Sequence, residues 1–214
     1  DTLAITSENY SGNTLHIYKK SADEWTLQAE LPLDNNPDYL LSAGNRTLIL
    51  QDNIVFYGLP FSNETAESAG KINIYDVSPK TISGPHSQLS PRSFVSYEFA
   101  DFSQALAVDG DTMVVGAPGE DGYRGAAYVM ELVNEKWVHI AKLTPPKIKA
   151  WGQFGVSVDI EGDTIVVGQP GKLDEGANAR VYVYQKPVGG WLDMEPSYYI
   201  DQMQNDPGDR IRNY

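Results

Sequence analysis

The sequence predicts an all-β fold assembled from about four repeated units of four short antiparallel strands, and three observations predict it. An Asp-Thr-x-Val-Val-Gly-x-Pro segment at 111–118 returns at 163–170, more weakly at 53–60, and most weakly, without its Gly and Pro, at 1–8. Alternating strands follow it in fixed order: Leu15-His16-Ile17-Tyr18, Ile72-Asn73-Ile74-Tyr75, Ala127-Tyr128-Val129-Met130 and Val181-Tyr182-Val183-Tyr184. Beyond three of these stands a Trp, at Trp25, Trp137 and Trp191, with Ile82 in the remaining place. A small apolar segment comes before each Gly-x-Pro strand, from Phe154 to Ile160 and from Phe102 to Val108, with Arg46-Thr47-Leu48-Ile49-Leu50 as the earlier equivalent.

Each strand of the unit has its own reason. The first is small and apolar, which suits a crowded inner position, and it ends in a tight hairpin. Asp109-Gly110 is the kind of pair a two-residue turn with positive φ requires. The second strand runs to Gly-x-Pro, where Pro has no N–H to continue the ladder. The third alternates around Tyr, and the fourth is expected to begin near the Trp at the outer edge. Four antiparallel strands in about 50 residues, repeated, read as blades of a β-propeller. The periodicity of 3.6 that a helical array needs is missing. The units fall at 1–31, 44–90, 102–143 and 154–200 of a single propeller domain, with 201–214 the start of a further unit or a closing strand.

Composition narrows the function. The chain has 16 Lys plus Arg against 29 Asp plus Glu, a net charge of −13, which excludes the basic footprint of a duplex nucleic-acid binder or an anionic-membrane binder. There is no Cys, hence no disulfide scaffold, thiolate metal site or Cys nucleophile. No apolar run reaches the length of a membrane-spanning helix. The beginning of the sequence reads as a strand cut at its start rather than as a signal peptide.

The pairing of Phe154-Gly155 with Gly168-Gln169-Pro170, and of Phe102 with Gly116-Ala117-Pro118, resembles the FG-GAP repeat of the integrin-α-type β-propeller family. The resemblance is specific over 102–186, weaker over 44–82 and thin over 1–31. It implies a propeller, usually of seven blades, and an extracellular or cell-surface module for adhesion or recognition. Ser103 departs from the pattern, standing where Phe-Gly has its Gly. Blades of the integrin type often carry a calcium loop of alternating carboxylates between the first two strands. Here that loop is only Asp109-Gly110-Asp111, Glu161-Gly162-Asp163 or Gln51-Asp52-Asn53. A hard cation takes six to eight oxygens, so no metal and no other cofactor is expected. Unit one lacks its inner strand, and Gly208-Asp209-Arg210-Ile211 looks like the start of another, which reads as part of a larger propeller. Apolar residues of the terminal flanks, such as Leu3, Ile5, Val181 and Val183, are then expected to be exposed and to drive self-association.

No catalytic set is visible in the sequence. His16, His86 and His139 fall at non-equivalent places, and Asp109/Asp111 and Glu161/Asp163 lie in turns that favour Asp for backbone reasons. Trp25, Trp137 and Trp191 recur in register and read as packing between blades, as do Tyr18, Tyr75, Tyr128, Tyr182 and Tyr184. Loops between strands two and three, and between strand four and the next strand one, emerge on one face of the array. They place Tyr39, Asp121, Tyr123, Arg124, Trp151, Lys172 and Asp174 as candidate ligand-binding residues. For Trp151 the competing reading is a cover over the core beneath Phe154. Asn9, Asn45 and Asn63 stand in glycosylation sequons. The resulting expectation is a non-enzymatic, extracellular recognition module for a protein or glycan, with the remaining blades of a parent chain as further partners. The alternatives are the propeller portion of a hydrolase and a scaffold segment with no ligand of its own.

Overall fold

The computed structural model describes residues 1–9, 12–33, 47–62, 69–78, 82, 84–89, 100–145, 150–170, 179–201 and 211–213. β1 (Thr2–Asn9), β2 (Gly12–Ser21) and β3 (Glu24–Pro32) form the first sheet. The second sheet is β4 (Leu48–Gln51), β5 (Ile54–Leu59), β6 (Lys71–Asp76) and β7 (Ser87–Leu89). β8 (Ala105–Asp109), β9 (Thr112–Ala117), β10 (Ala126–Val133) and β11 (Lys136–Leu143) make the third. The fourth contains β12 (Ser157–Glu161), β13 (Thr164–Gln169), β14 (Arg180–Gln185), β15 (Tyr198–Asp201) and β16 (Ile211–Asn213). Strands adjacent in sequence pair antiparallel within each sheet, as in propeller blades, and the four sheets do not close into a ring.

Period-two alternation buries both faces of an inner blade. In the third blade Met113, Val115, Tyr128 and Met130 face backwards onto Phe56, Ile72 and Ile74 of the second. The alternate residues Val114, Ala127, Val129 and Ala141 face forwards and meet Ile165, Val167, Tyr182 and Tyr184 of the fourth. The first junction repeats the scheme, with Leu15 and Ile17 against Val55, Tyr57 and Tyr75.

The Phe-Gly segment and its Phe-Ser variant lock the second and third junctions. Phe154 is fully buried; its N–H donates to the Arg124 carbonyl (3.0 Å), while Gly155 N–H donates to Gly168 in its own blade (3.0 Å). Phe102 and Ser103 do the same with Ala69 (3.2 Å) and Gly116 (3.0 Å). The second position needs a left-handed backbone, with φ of 92° at Gly155 and 77° at Ser103. Ser103 is accommodated there with its Oγ donating to the Lys71 carbonyl of the preceding blade (2.8 Å), so its departure from Phe-Gly keeps the junction. Hairpins add a second tie. Gln51 Nε2 donates to the Gly110 carbonyl (3.1 Å), and Asp109 Oδ2 accepts from Gly162 N–H (2.6 Å).

Four expectations need correction. Trp25 and Trp137 do open the fourth strands β3 and β11, but Trp191 lies outside any strand, and its unit's fourth strand is β15. Pro187, Gly189 and Gly190 set a turn there, closed by Gly190 N–H on the Pro187 carbonyl (2.9 Å). Trp137 meets Phe56 of the blade behind it edge-on at 5.7 Å, and Trp191 is buried in the last junction, yet Trp25 is 44% exposed. The Lys20 ammonium lies 6.0 Å from its ring centre, and no described blade lies behind the first. Leu3, Ile5 and Val181 are exposed, but Val183 is buried, flanked on its face by its cross-strand partners Val166 and Tyr198. Finally, residues 211–213 neither begin a further inner strand nor close a ring with β1. They pair with β15 as a fifth strand at the outer edge. Residues 208–210 lie outside the described residues.

Candidate functional site

The connection from β9 to β10 rises on the loop face as one short helical turn, α1 (Glu120–Tyr123). Asp121 and Gly122 inside it have φ of 51° and 67°, so it is a coiled turn rather than a regular helix. Its base is fixed by Gly119 N–H on the Ala100 carbonyl (3.1 Å) and Gly125 N–H on the Glu120 carbonyl (2.9 Å). The incoming chain before β12 lies against it. Gln153 N–H donates to the Tyr123 carbonyl at 2.8 Å, and Trp151 N–H points at the Gly122 carbonyl at 3.5 Å.

These backbone contacts bring two rings together. Tyr123 and Trp151 stack with centroids 4.5 Å apart and planes 10° from parallel. Trp151 is 45% exposed, so it does not act as a cover for the core; Phe154 is buried by the blades themselves. Beside the stack, Arg124 Nη1 pairs with Asp121 Oδ2 at 3.3 Å and donates to the Asp121 carbonyl at 3.1 Å. Tyr123 (φ 62°) and Trp151 (φ 65°) both hold left-handed backbone, which costs a bulky residue about 1–3 kcal/mol. Of the seven sequence-predicted ligand residues, the structure gathers Asp121, Tyr123, Arg124 and Trp151. Tyr39, Lys172 and Asp174 lie outside the described residues, as do Asn45 and Asn63. Of Asn9, only the backbone at the end of β1 is described.

Sequence reasoning missed the support beneath this platform. Glu120 is buried, receives the Tyr128 hydroxyl proton donor and pairs with Lys142 Nζ at 2.5 Å. Lys142 also sits over the Tyr128 ring, 5.5 Å from its centre. The loop is thereby anchored to β10 and β11 through a neutralised carboxylate. A Glu in a loop gives no such signal unless Tyr128 and Lys142 are known to converge on it. Nearby, burial pushes the Asp101 carboxyl up to about 7.

A second polar group was also invisible in the sequence. On the first blade Ser7 Oγ lies 2.6 Å from His16 Nε2, and His16 Nδ1 lies 3.2 Å from Glu30 Oε1. The order matches a nucleophile, base and orienting carboxylate. The trio nevertheless lies across three neighbouring strands of an open sheet face, with the Glu30 side chain 58% exposed. The fourth blade places a hydrogen bond at the equivalent positions, Tyr182 Oη to Gln169 Oε1 (3.0 Å), where it is a cross-strand tie. His139 has its pKa lowered, chiefly by burial. Among the described residues no group of three or more His, Cys, Asp or Glu is arranged to hold a metal.

No curated protein matches the chain. A family model for the FG-GAP repeat matches residues 98–130 and 137–184. These are the third and fourth blades, where the Phe-Gly segment and the Gly-x-Pro strand have been seen to interlock. Sequence match and junction geometry agree on the same residues, and the third and fourth blades are FG-GAP repeats.

Proposed function

We propose that this chain is a non-enzymatic recognition module, working outside the cell or at its surface, that binds a protein or glycan through the loop face around Tyr123 and Trp151. The stacked pair is the observation that carries the reading. Two aromatics held at unfavourable φ on a rigid scaffold, beside an Arg–Asp pair, form a preorganised contact surface. Tyr39, Lys172 and Asp174 extend that face in this reading, and glycans on Asn9, Asn45 or Asn63 would mark its exposure outside the cell. The adhesion role follows the common use of integrin-type propellers. The chain works with no cofactor, and its remaining partners are further blades of a longer propeller.

The test is binding of the 214-residue chain to a panel of immobilised matrix proteins and to a glycan array. Tyr123→Ala and Trp151→Ala are each expected to weaken the bound signal at least tenfold while leaving the far-UV spectrum unchanged. No bound probe, or full binding by both variants, overturns the reading. The Ser7–His16–Glu30 trio favours a hydrolase as the second reading. Hydrolysis of p-nitrophenyl acetate that is lost in Ser7→Ala would establish it; equal rates for the two proteins would dismiss it.

A further inference from the structure

The outer strand of the second blade stops early. β7 has three residues where β11 has eight, and its pairing with β6 ends at Ile74↔Ser87. Residues 77–86 lie between β6 and β7, whereas Asn134 and Glu135 alone join β10 to β11. Ile82, the second blade's counterpart of the repeated Trp, packs backwards into the first junction and does not fill the space. The consequence shows one blade further on. Trp191 is buried where the full-length β11 lies behind it, with Lys142 N–H donating to Asp193 at 2.7 Å. Trp137 has only the short-edged second blade behind it; it meets Phe56 edge-on and stays half-buried.

A cleft of about 500 Å³, the size of a small-molecule site, opens there between the second and third blades. It lies at the hairpin end of the array, away from the loop face. Its floor is apolar: Phe56 and Ile74 are buried, and Ile54, Leu132 and Trp137 complete it. Its mouth is acidic. Leu132 N–H donates to the Asp111 carbonyl (2.8 Å), which sets Asp111 beside the floor on the third blade, and Glu135 stands in the next hairpin. Asp76, the cross-strand partner of Ile54, and Asp52 stand on the second blade. Ser78 donates to Asp76 through its N–H (2.9 Å) and its hydroxyl (2.5 Å), and these bonds hold that carboxyl below its ordinary value. Among the described residues no Lys or Arg forms an ion pair with any of the four carboxylates. His86, its N–H held by the Ile74 carbonyl (2.7 Å), also lines the cleft.

We propose that this cleft binds an organic amine with an apolar body, of the arylalkylamine class. The body displaces water from the floor and packs against Trp137 and Leu132. The ammonium stays at the mouth, where four carboxylates lack a cation of their own. The two halves of the site select together. An inorganic cation gains nothing from the floor, and an anionic ring of the same size is repelled at the mouth. Both blades supply wall and mouth, so the occupant bridges the junction. The site is separate from the Tyr123–Trp151 platform and stands independently of what that platform binds.

Calorimetric titration of the 214-residue chain with tryptamine is expected to show one saturable site, with a Kd of about 1 mM or tighter. Ethylamine, which lacks the body, and indole-3-acetate, which has the ring and the opposite charge, should each bind at least tenfold more weakly. Glu135→Lys changes an exposed turn residue, and Leu132→Lys sets a cation at the edge of the floor. Each should weaken tryptamine binding at least tenfold with an unchanged far-UV spectrum, and either serves if the other does not fold. Tyr123→Ala should bind tryptamine as wild type does, which separates this site from the loop face. No saturable site for tryptamine or phenethylamine overturns the inference. So does equal binding of ethylamine or indole-3-acetate, and so does full affinity in either folded Lys variant. Binding of a tripeptide with Phe between two Lys, when the free amines do not bind, would assign the cleft to a protein partner and overturn it as well.

Discussion

Gly116 and Gly155 meet backbone against backbone across the junction of the third and fourth blades. A Cβ built on Gly116 would lie 1.9 Å from the Gly155 carbonyl oxygen. That contact turns the two glycines of the repeat signature into one steric fact: the second-strand Gly makes room for the carbonyl of the next blade's Phe-Gly segment.

Gly116→Ala should therefore force the blades apart. A loss of about 2–3 kcal/mol corresponds to a drop of roughly 5–10 °C in melting temperature for a chain of this size. Gly84→Ala, with nothing within 4 Å of the new methyl, should melt as wild type. Phe154→Ala, removing a fully buried ring from the same junction, should cost about 3–5 kcal/mol. Thermal melts of the three variants check this order.

Asp101 gives a pH dependence with a definite sign. Its folded carboxyl titrates at about 7, above the ordinary 3.8 of the unfolded chain, because burial penalises the charge. Between those values the folded state holds the proton that the unfolded state has lost, so stability falls as pH rises from about 4 to about 7. Asp101→Asn should remove that slope. Denaturation of the two proteins should give similar midpoints at pH 4 and a more stable variant at pH 8.

Glu120 is the anchor of the aromatic platform. Glu120→Ala removes the partner of Lys142 and of the Tyr128 hydroxyl, at an expected cost of about 1.5–3 kcal/mol. The Tyr123–Trp151 stack should loosen with it, shown by a shift of Trp fluorescence in the folded protein.

Calcium titration tests the short hairpins. Asp109 already gives an oxygen to Gly162 N–H, and a two-residue turn supplies too few further ligands for a hard cation. Calorimetry is expected to show no micromolar site. A saturable site abolished by Asp109→Ala or Asp163→Ala would refute this.

The strands were legible because their signals are local. Gly-x-Pro, the Asp-Gly hairpins and the Phe-Gly segment each state a backbone requirement that sequence carries directly. Trp191 was misplaced because a Trp marks a packing position, not a strand boundary, and the Pro187–Gly190 turn lets the chain reach that position from outside the sheet. The exposure of Trp25 depends on what lies behind the first blade, which no property of Trp25 encodes. Tyr123 and Trp151 could be named as loop aromatics, but their stacking depends on the Gln153–Tyr123 backbone bond between two distant loops. Glu120, and the approach of Ser7 to His16, required the register of neighbouring strands.

The clasps from Gln51 to Gly110 and from Asp109 to Gly162 reach only to the adjoining blade. Such an array behaves like a row of coupled switches in which each member feels its immediate neighbours and nothing farther. Opening then begins where a neighbour is missing and travels inward. Amide protons of β1 should exchange with solvent first and those of β9 and β10 last, so the order of exchange along the chain traces the order of blades in space.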